Sequence, residues 1–260
     1  MVRRPVFLLT DFGAASHYVG IMRAVIEDRL PGAIVHDLSH EITSGNVDEA
    51  AYILSAAWDY LPRRCVVVAV IDPTVGTERK TLLLRQGGRL VLAPDNGLLT
   101  GILEGPEPRD LFSVKDQVLA ALRPSATFHG RDVFAPLAAA LARWSRVAGL
   151  VDRFRDPVHL ESFWAPMHGG QFQARVVHVD RFGNLITNVP MGESRPRGFV
   201  RTNWPEIARV PLVRTFAEVR VGAWLAYRGS SGRLEFGVRD GSAREALDGD
   251  LRRPLHVRPP

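Results

Sequence analysis

The stretch CVVVAVIDPTVGTERK, residues 65–80, decides how the rest of the chain is read. Its unbroken apolar run, residues 66–71, is too short for a membrane span and suits a strand buried on both faces. Asp72 then stands at the strand's carboxyl end, the edge of an open α/β sheet where ligands bind. Pro73 fixes its own φ and biases Asp72 towards extended geometry, while Gly76 supplies a turn that few other residues tolerate. A carboxylate, Asp72, and a guanidinium, Arg79, therefore share one short loop. By themselves they are equally well read as a capped turn with a surface ion pair, an arrangement that is common and weak.

Working outward, residues 6–9 read as a second buried strand, ending in Thr10-Asp11-Phe12-Gly13 and so placing another carboxylate at a strand end. Residues 18–30 put Val19, Met22, Val25, Ile26 and Leu30 on one helical face, stopped by Pro31-Gly32. Residues 33–37 predict a strand and 47–60 a helix. Residues 81–84 and 90–92 around Gly87-Gly88 predict a hairpin, and residues 98–103 a short helix. From Thr127 a His129-Gly130 turn leads into an apolar helix lasting to about Trp144. This alternation predicts an α/β layered domain with a mainly parallel sheet. Beyond residue 151, short apolar stretches at 172–179, 185–187, 210–213, 224–227 and 234–238, with Gly, Asn, Ser or Pro between them, predict a small antiparallel β-barrel or sandwich. The expected division is an N-terminal α/β domain, 1–160, and a C-terminal β-barrel domain, 161–260, with the linker between 149 and 171.

The composition is that of a globular protein with a full core: 46% apolar and 23% charged over 260 residues. Its formal charge of +5 comes from arginine, since Lys80 and Lys115 are its lysines, and no block of like charges marks a nucleic-acid face. A lone cysteine, Cys65, fits a reducing compartment, and the amino terminus reads as a first strand, not a targeting peptide. The expectation is a cytoplasmic protein without membrane or nucleic-acid partners.

Three polar groupings are candidates for chemistry: Asp72 with Arg79, His129 beside Gly130, and Asp180-Arg181-Phe182-Gly183-Asn184. A histidine before glycine at a helix mouth suits an anion or an attacking oxygen, and is also read as an ordinary helix start. Phe182 and Asn184 offer an aromatic face and an amide able to read a purine, or a plain turn between strands. No zinc spacing, P-loop, GxGxxG or GxSxG is found, which leaves metal-free chemistry on a small polar molecule.

LTDFG (9–13), IDPTVGTER (71–79), PDNGLLT (94–100), TFHGRDVFAP (127–136) and DRFGNLITN (180–188), in that order, resemble the S-adenosyl-L-methionine hydroxide adenosyltransferases, relatives of the fluorinases and chlorinases. GSSGRLEF (229–236) and DGSA (240–243) extend the match over nearly the whole chain. The resemblance implies a homotrimer of two-domain subunits with S-adenosyl-L-methionine bound as substrate between neighbouring subunits, without cofactor or metal. It also implies that water attacks the ribose 5′ carbon to give adenosine and L-methionine, with Asp72, Arg79 and His129 holding that water. By the same resemblance Asp11 would meet the ribose hydroxyls, Asp180 and Ser231 the methionine amino group, and Phe182 and Asn184 the adenine, which the backbone around Arg239 would border.

Fluorinases carry a tyrosine where this chain has Asp72 and a halide-binding serine where it has Gly130, a further substrate-site position. They also carry an inserted loop for which residues 81–92 leave no room. A chlorinase-like transferase and a non-catalytic nucleoside-binding protein are the alternatives. The chain departs from the family pattern at Thr74, in place of glycine, and at Ser16, in place of an acid on the amino group. It also has Gly45 for a stacking tryptophan and Gly232 for an arginine on the methionine carboxylate.

Overall fold

The computed structural model describes residues 3–143, 147–193 and 198–260. Two compact units divide the chain after Leu160. In the first, strands β1 (Val6–Thr10), β2 (Val35–Ser39), β3 (Val66–Val70), β4 (Thr81–Gln86), β5 (Arg89–Pro94), β6 (Arg109–Val114) and β7 (Val151–Arg153) form one sheet in the order β2-β1-β3-β5-β4-β6-β7. Every residue of β3 is buried, as its uninterrupted apolar run requires.

The sheet is parallel from β2 through β1 and β3 to β5, and antiparallel from β5 through β4 and β6 to β7. It is therefore mixed, not mainly parallel. Gly87 and Gly88, both at positive φ, turn the chain straight back so that β4 lies against β5 without a crossover helix. The free edge of β4 then receives β6, a strand whose charged start, Arg109-Asp110, hides it from a hydrophobic pattern.

Helices α1 (His17–Arg29), α2 (Val47–Ala57), α3 (Thr100–Leu103), α4 (Asp116–Leu122) and α5 (Ala135–Arg143) accompany the sheet. Leu8, Val66, Val68 and Val70 face a core that includes α1 and α5, whereas Leu9, Val67, Ala69 and Ile71 face a second core with α2 and α3. Both faces are thus dry, and polar groups of β1 and β3 are left to their ends. The helix expected over 47–60 stops at Ala57 and finishes as a 3₁₀ turn, Trp58–Tyr60. The helix after His129 opens with a π turn, Gly130–Phe134, and runs on as α5; Trp144 lies outside the described residues.

The second unit holds β8 (Met167–His168), β9 (Gln171–Ala174), β10 (Val176–Val179), β11 (Leu185–Pro190), β12 (Gly198–Thr202), β13 (Arg209–Leu212), β14 (Trp224–Arg228), β15 (Arg233–Val238) and β16 (Leu255–Arg258), with a short helix α6 (Ala243–Ala246). Their order is β10-β11-β15-β14-β13-β12-β16-β9-β8, antiparallel except for β13 beside β14. The sheet curls into a half-barrel, and its ladder stays open between β10 and β8. The apolar stretch 172–179 splits at Arg175, whose backbone N–H donates to Asn188 Oδ1 (2.9 Å) and whose carbonyl accepts from Asn188 N (3.1 Å). Its two halves consequently join opposite ends of the ladder, β9 to β16 and β10 to β11. Trp204, Leu234 and Phe236 centre the core. Among the described residues no helix is long and apolar enough to cross a membrane.

Candidate active site

Because β1 and β3 are parallel neighbours in register Thr10 to Val70, Asp11 and Asp72 emerge at the same edge of the sheet. That edge and residues 127–130 line a cleft of about 520 Å³ in the first unit, with Asp11, Phe12, Tyr18, Asp72, Phe128 and His129 in its walls.

Arg79 clamps the polar end. Its Nε donates to Asp72 Oδ2 at 2.8 Å, its Nη2 donates to the same oxygen, and Nη2 also donates to His129 Nδ1 at 2.9 Å. The side chains of Arg79 and Asp72 are only 7% and 5% exposed. Thr74 Oγ1 donates to Asp72 Oδ1 at 3.1 Å, so a residue outside the family pattern helps to orient the carboxylate. Gly76 makes the loop possible: at φ +83°, its Cβ position lies 2.7 Å from the Ala126 carbonyl oxygen, which brings residues 72–79 against the segment carrying His129.

A guanidinium only donates, so His129 Nδ1 accepts and the neutral ring carries its hydrogen on Nε2. Burial, followed by the charge of Arg79, lowers the histidine's pKa below its ordinary value, against Asp72, Asp132 and the Ser125 carbonyl, which favour the charged ring. The imidazole is neutral at pH 7. A carboxylate and a neutral imidazole thus line one side of the cleft, tied together by the guanidinium of Arg79.

On the other side Asp11 Oδ2 accepts from Gly45 N at 2.8 Å. Tyr18, Phe12 and Phe128 form an edge-to-face wall, with Tyr18 and Phe128 centroids 4.8 Å apart. Tyr18 was not singled out by sequence reasoning; its only signal was a tyrosine in the first turn of a helix. Ser16 caps that helix by accepting from Tyr18 N. Gly130 is packed beneath the wall: a Cβ there would lie 3.1 Å from Phe128 and 3.2 Å from both Met22 and Phe12.

The structure brings Asp11, Asp72, Arg79, His129 and Gly130 together. The remaining sequence candidates lie in the second unit. There Asp180 Oδ1 accepts from Phe182 N and Asn184 N, both at 2.9 Å, and Oδ2 accepts from Asn184 Nδ2 at 2.8 Å. This turn leaves Asn184 buried and Phe182 77% exposed. Ser231 sits in the tight turn between β14 and β15, closed by Gly229 N donating to the Arg233 carbonyl. Arg239 donates from Nη1 to the carbonyls of Ala217 and Val219. Glu235, also missed in the sequence, is a buried carboxylate whose pKa is raised first by burial, with the charge of Asp180 adding to the rise.

Models of the SAM hydroxide adenosyltransferase N-terminal and C-terminal domains match residues 6–150 and 174–256. The chain belongs to this family. An (R)-S-adenosyl-L-methionine hydrolase of Thermus thermophilus is 41% identical over 259 residues, covering 94% of this chain and 95% of the relative. One of Methanocaldococcus jannaschii is 37% identical, covering 72% and 67%. The crystal structure of an uncharacterized conserved protein from Thermotoga maritima superposes with a TM-score of 0.84 at 30% identity, covering 97% and 99%. In this SAM hydroxide adenosyltransferase the Arg79 clamp falls in the N-terminal family domain and the Asp180–Asn184 turn in the C-terminal one.

Proposed function

We propose that this protein hydrolyses S-adenosyl-L-methionine by attack of water on the ribose 5′ carbon, releasing adenosine, L-methionine and a proton. The observation that carries the reading is the buried Arg79 clamp between Asp72 and His129, in the cleft that also holds Asp11. The names of the related hydrolases support it. The C5′–S bond breaks with its electron pair going to sulfur, so the sulfonium leaves as a neutral thioether without an acid. The C5′–O bond forms from water, whose pKa of about 15.7 is the obstacle.

His129 is the donor of the pair, because Nδ1 is occupied by Arg79 and Nε2 already bears hydrogen. Asp72 accepts the water's proton: Thr74 takes one position on Oδ1 and leaves the other open. Arg79 favours the developing hydroxide electrostatically, and positioning contributes several kcal/mol more. Asp11 takes the ribose hydroxyls, and the Phe12–Tyr18–Phe128 wall covers the sugar. Phe182 and Asn184 take the adenine beside the Arg239 backbone, and Asp180 with Ser231 the methionine amino group. These residues belong to an N-terminal α/β domain, 1–160, and a C-terminal β-domain, 161–260, of a cytoplasmic homotrimer whose neighbouring subunits share each site, without cofactor or metal.

A halide-using reaction is disfavoured by the acidic Asp72 and by Gly130, where a serine Cβ would press on Phe128, Met22 and Phe12. Turnover in oxygen-18 water tests the proposal. The label is expected on the 5′ oxygen of adenosine and not in methionine, with no halogenated nucleoside when chloride or fluoride is added. Unlabelled adenosine would end the water-attack reading.

A further inference from the structure

Beneath Asp11 runs a second chain of polar groups that the proposed reaction does not use. Thr10 Oγ1 lies 2.8 Å from His40 Nδ1, and His40 Nε2 lies 2.9 Å from Asp37 Oδ1, at an angle too bent for a straight hydrogen bond. Asp37 Oδ2 in turn accepts from Arg23. A carboxylate only accepts, so Nε2 carries the ring hydrogen. In the neutral ring Nδ1 then accepts from the Thr10 hydroxyl, whose oxygen accepts from Phe12 N at 3.3 Å.

The order hydroxyl, imidazole, carboxylate is that of an activated nucleophile. Thr10 is 0% exposed and His40 6%, however, and neither lines the cleft, so no substrate atom reaches the hydroxyl. What the chain does reach is the turn that carries Asp11. Thr10 Oγ1 holds the Phe12 N–H on the far side of Asp11, and the His40 carbonyl accepts from Gly13 N at 2.8 Å.

We propose that His40 is a positioning residue for Asp11, setting the aim of its carboxylate at the ribose diol through Thr10. This rests on Asp11 meeting the ribose. Freeing Thr10 lets the peptides around Asp11 rotate while the Arg79 clamp stays intact. The loss is expected in nucleoside binding and not in the bond-making step.

An amide at position 40 separates the two ends of the ring. His40→Asn places an amide near the Nδ1 position and keeps Thr10 engaged, whereas His40→Gln reaches towards Nε2 and does not. With adenosine as the probe, His40→Gln is expected to raise Kd by about tenfold, and KM for S-adenosyl-L-methionine in parallel, with kcat within about threefold. His40→Asn is expected to recover to within about threefold of the parent. Unchanged affinity in His40→Gln, or equal losses in both variants that track their melting temperatures, overturns the proposal. Should His40→Gln not fold, Asp37→Asn at the half-exposed end is expected to weaken adenosine by about two- to threefold, and no change overturns it equally. Asp11→Asn distinguishes the failures. If it leaves adenosine affinity intact, the ribose assignment falls and takes this proposal with it. If it weakens adenosine while His40→Gln does not, the role of His40 alone falls.

Discussion

Replacing Arg79 with methionine removes the guanidinium while keeping most of its stem. Four donated hydrogen bonds disappear, two to Asp72, one to His129 and a longer one to Thr81 Oγ1 at 3.4 Å, and the Arg79 and Asp72 side chains are only 7% and 5% exposed. A buried carboxylate stripped of its cation costs about 3–5 kcal/mol, so the urea midpoint is expected to fall by that much stability at constant m. In the proposed reaction, turnover loses a fixed charge that favours the developing hydroxide, worth about 10²- to 10³-fold in kcat. The discriminating sign comes from His129. Burial and the charge of Arg79 hold its pKa down in the parent, while Asp72 pulls the other way. Stability from the neutral ring is therefore fully present above the ordinary histidine value and lost as pH falls through the lowered one. With Arg79 gone and Asp72 left, the pKa moves up, and the acidic limb of kcat moves to higher pH. Adenosine release measured from about pH 5 to about pH 9, with NMR titration of the His129 ring, reads both quantities. A kcat within about threefold of the parent, or an acidic limb that stays put or moves down, would refute the reasoning.

Asp180→Ala removes the acceptor that holds Phe182 N, Asn184 N and Asn184 Nδ2, so adenosine affinity is expected to fall about 5- to 30-fold in equilibrium dialysis; unchanged affinity would separate this turn from adenine. Gly76→Ala combines a strained φ of +83° with a Cβ placed 2.7 Å from the Ala126 carbonyl, and is expected to lower stability by about 1–3 kcal/mol in thermal melts. Sedimentation is expected to show a trimer at assay concentration, and a fully active monomer would contradict a site shared between subunits.

The elements legible in the sequence are those written in local patterns. The run 66–71 suits a strand dry on both faces, and β3 is buried throughout. Gly87-Gly88 announced a hairpin, and the carboxylates at the ends of two apolar runs marked the edge where the cleft opens. These features depend on side-chain period and on backbone angles within a few residues, which composition and spacing express directly. What only the tertiary structure decided are meetings across the chain. Arg79 finds His129 50 residues away, Thr10 finds His40 30 away, and Tyr18 closes a wall with Phe12 and Phe128. The mixed direction of the first sheet and the splitting of 172–179 between the two ends of the second have the same origin. Each depends on which edge or face a segment meets once the chain has folded back. That choice is made by burial and hydrogen bonding summed over distant partners, and no local pattern records it.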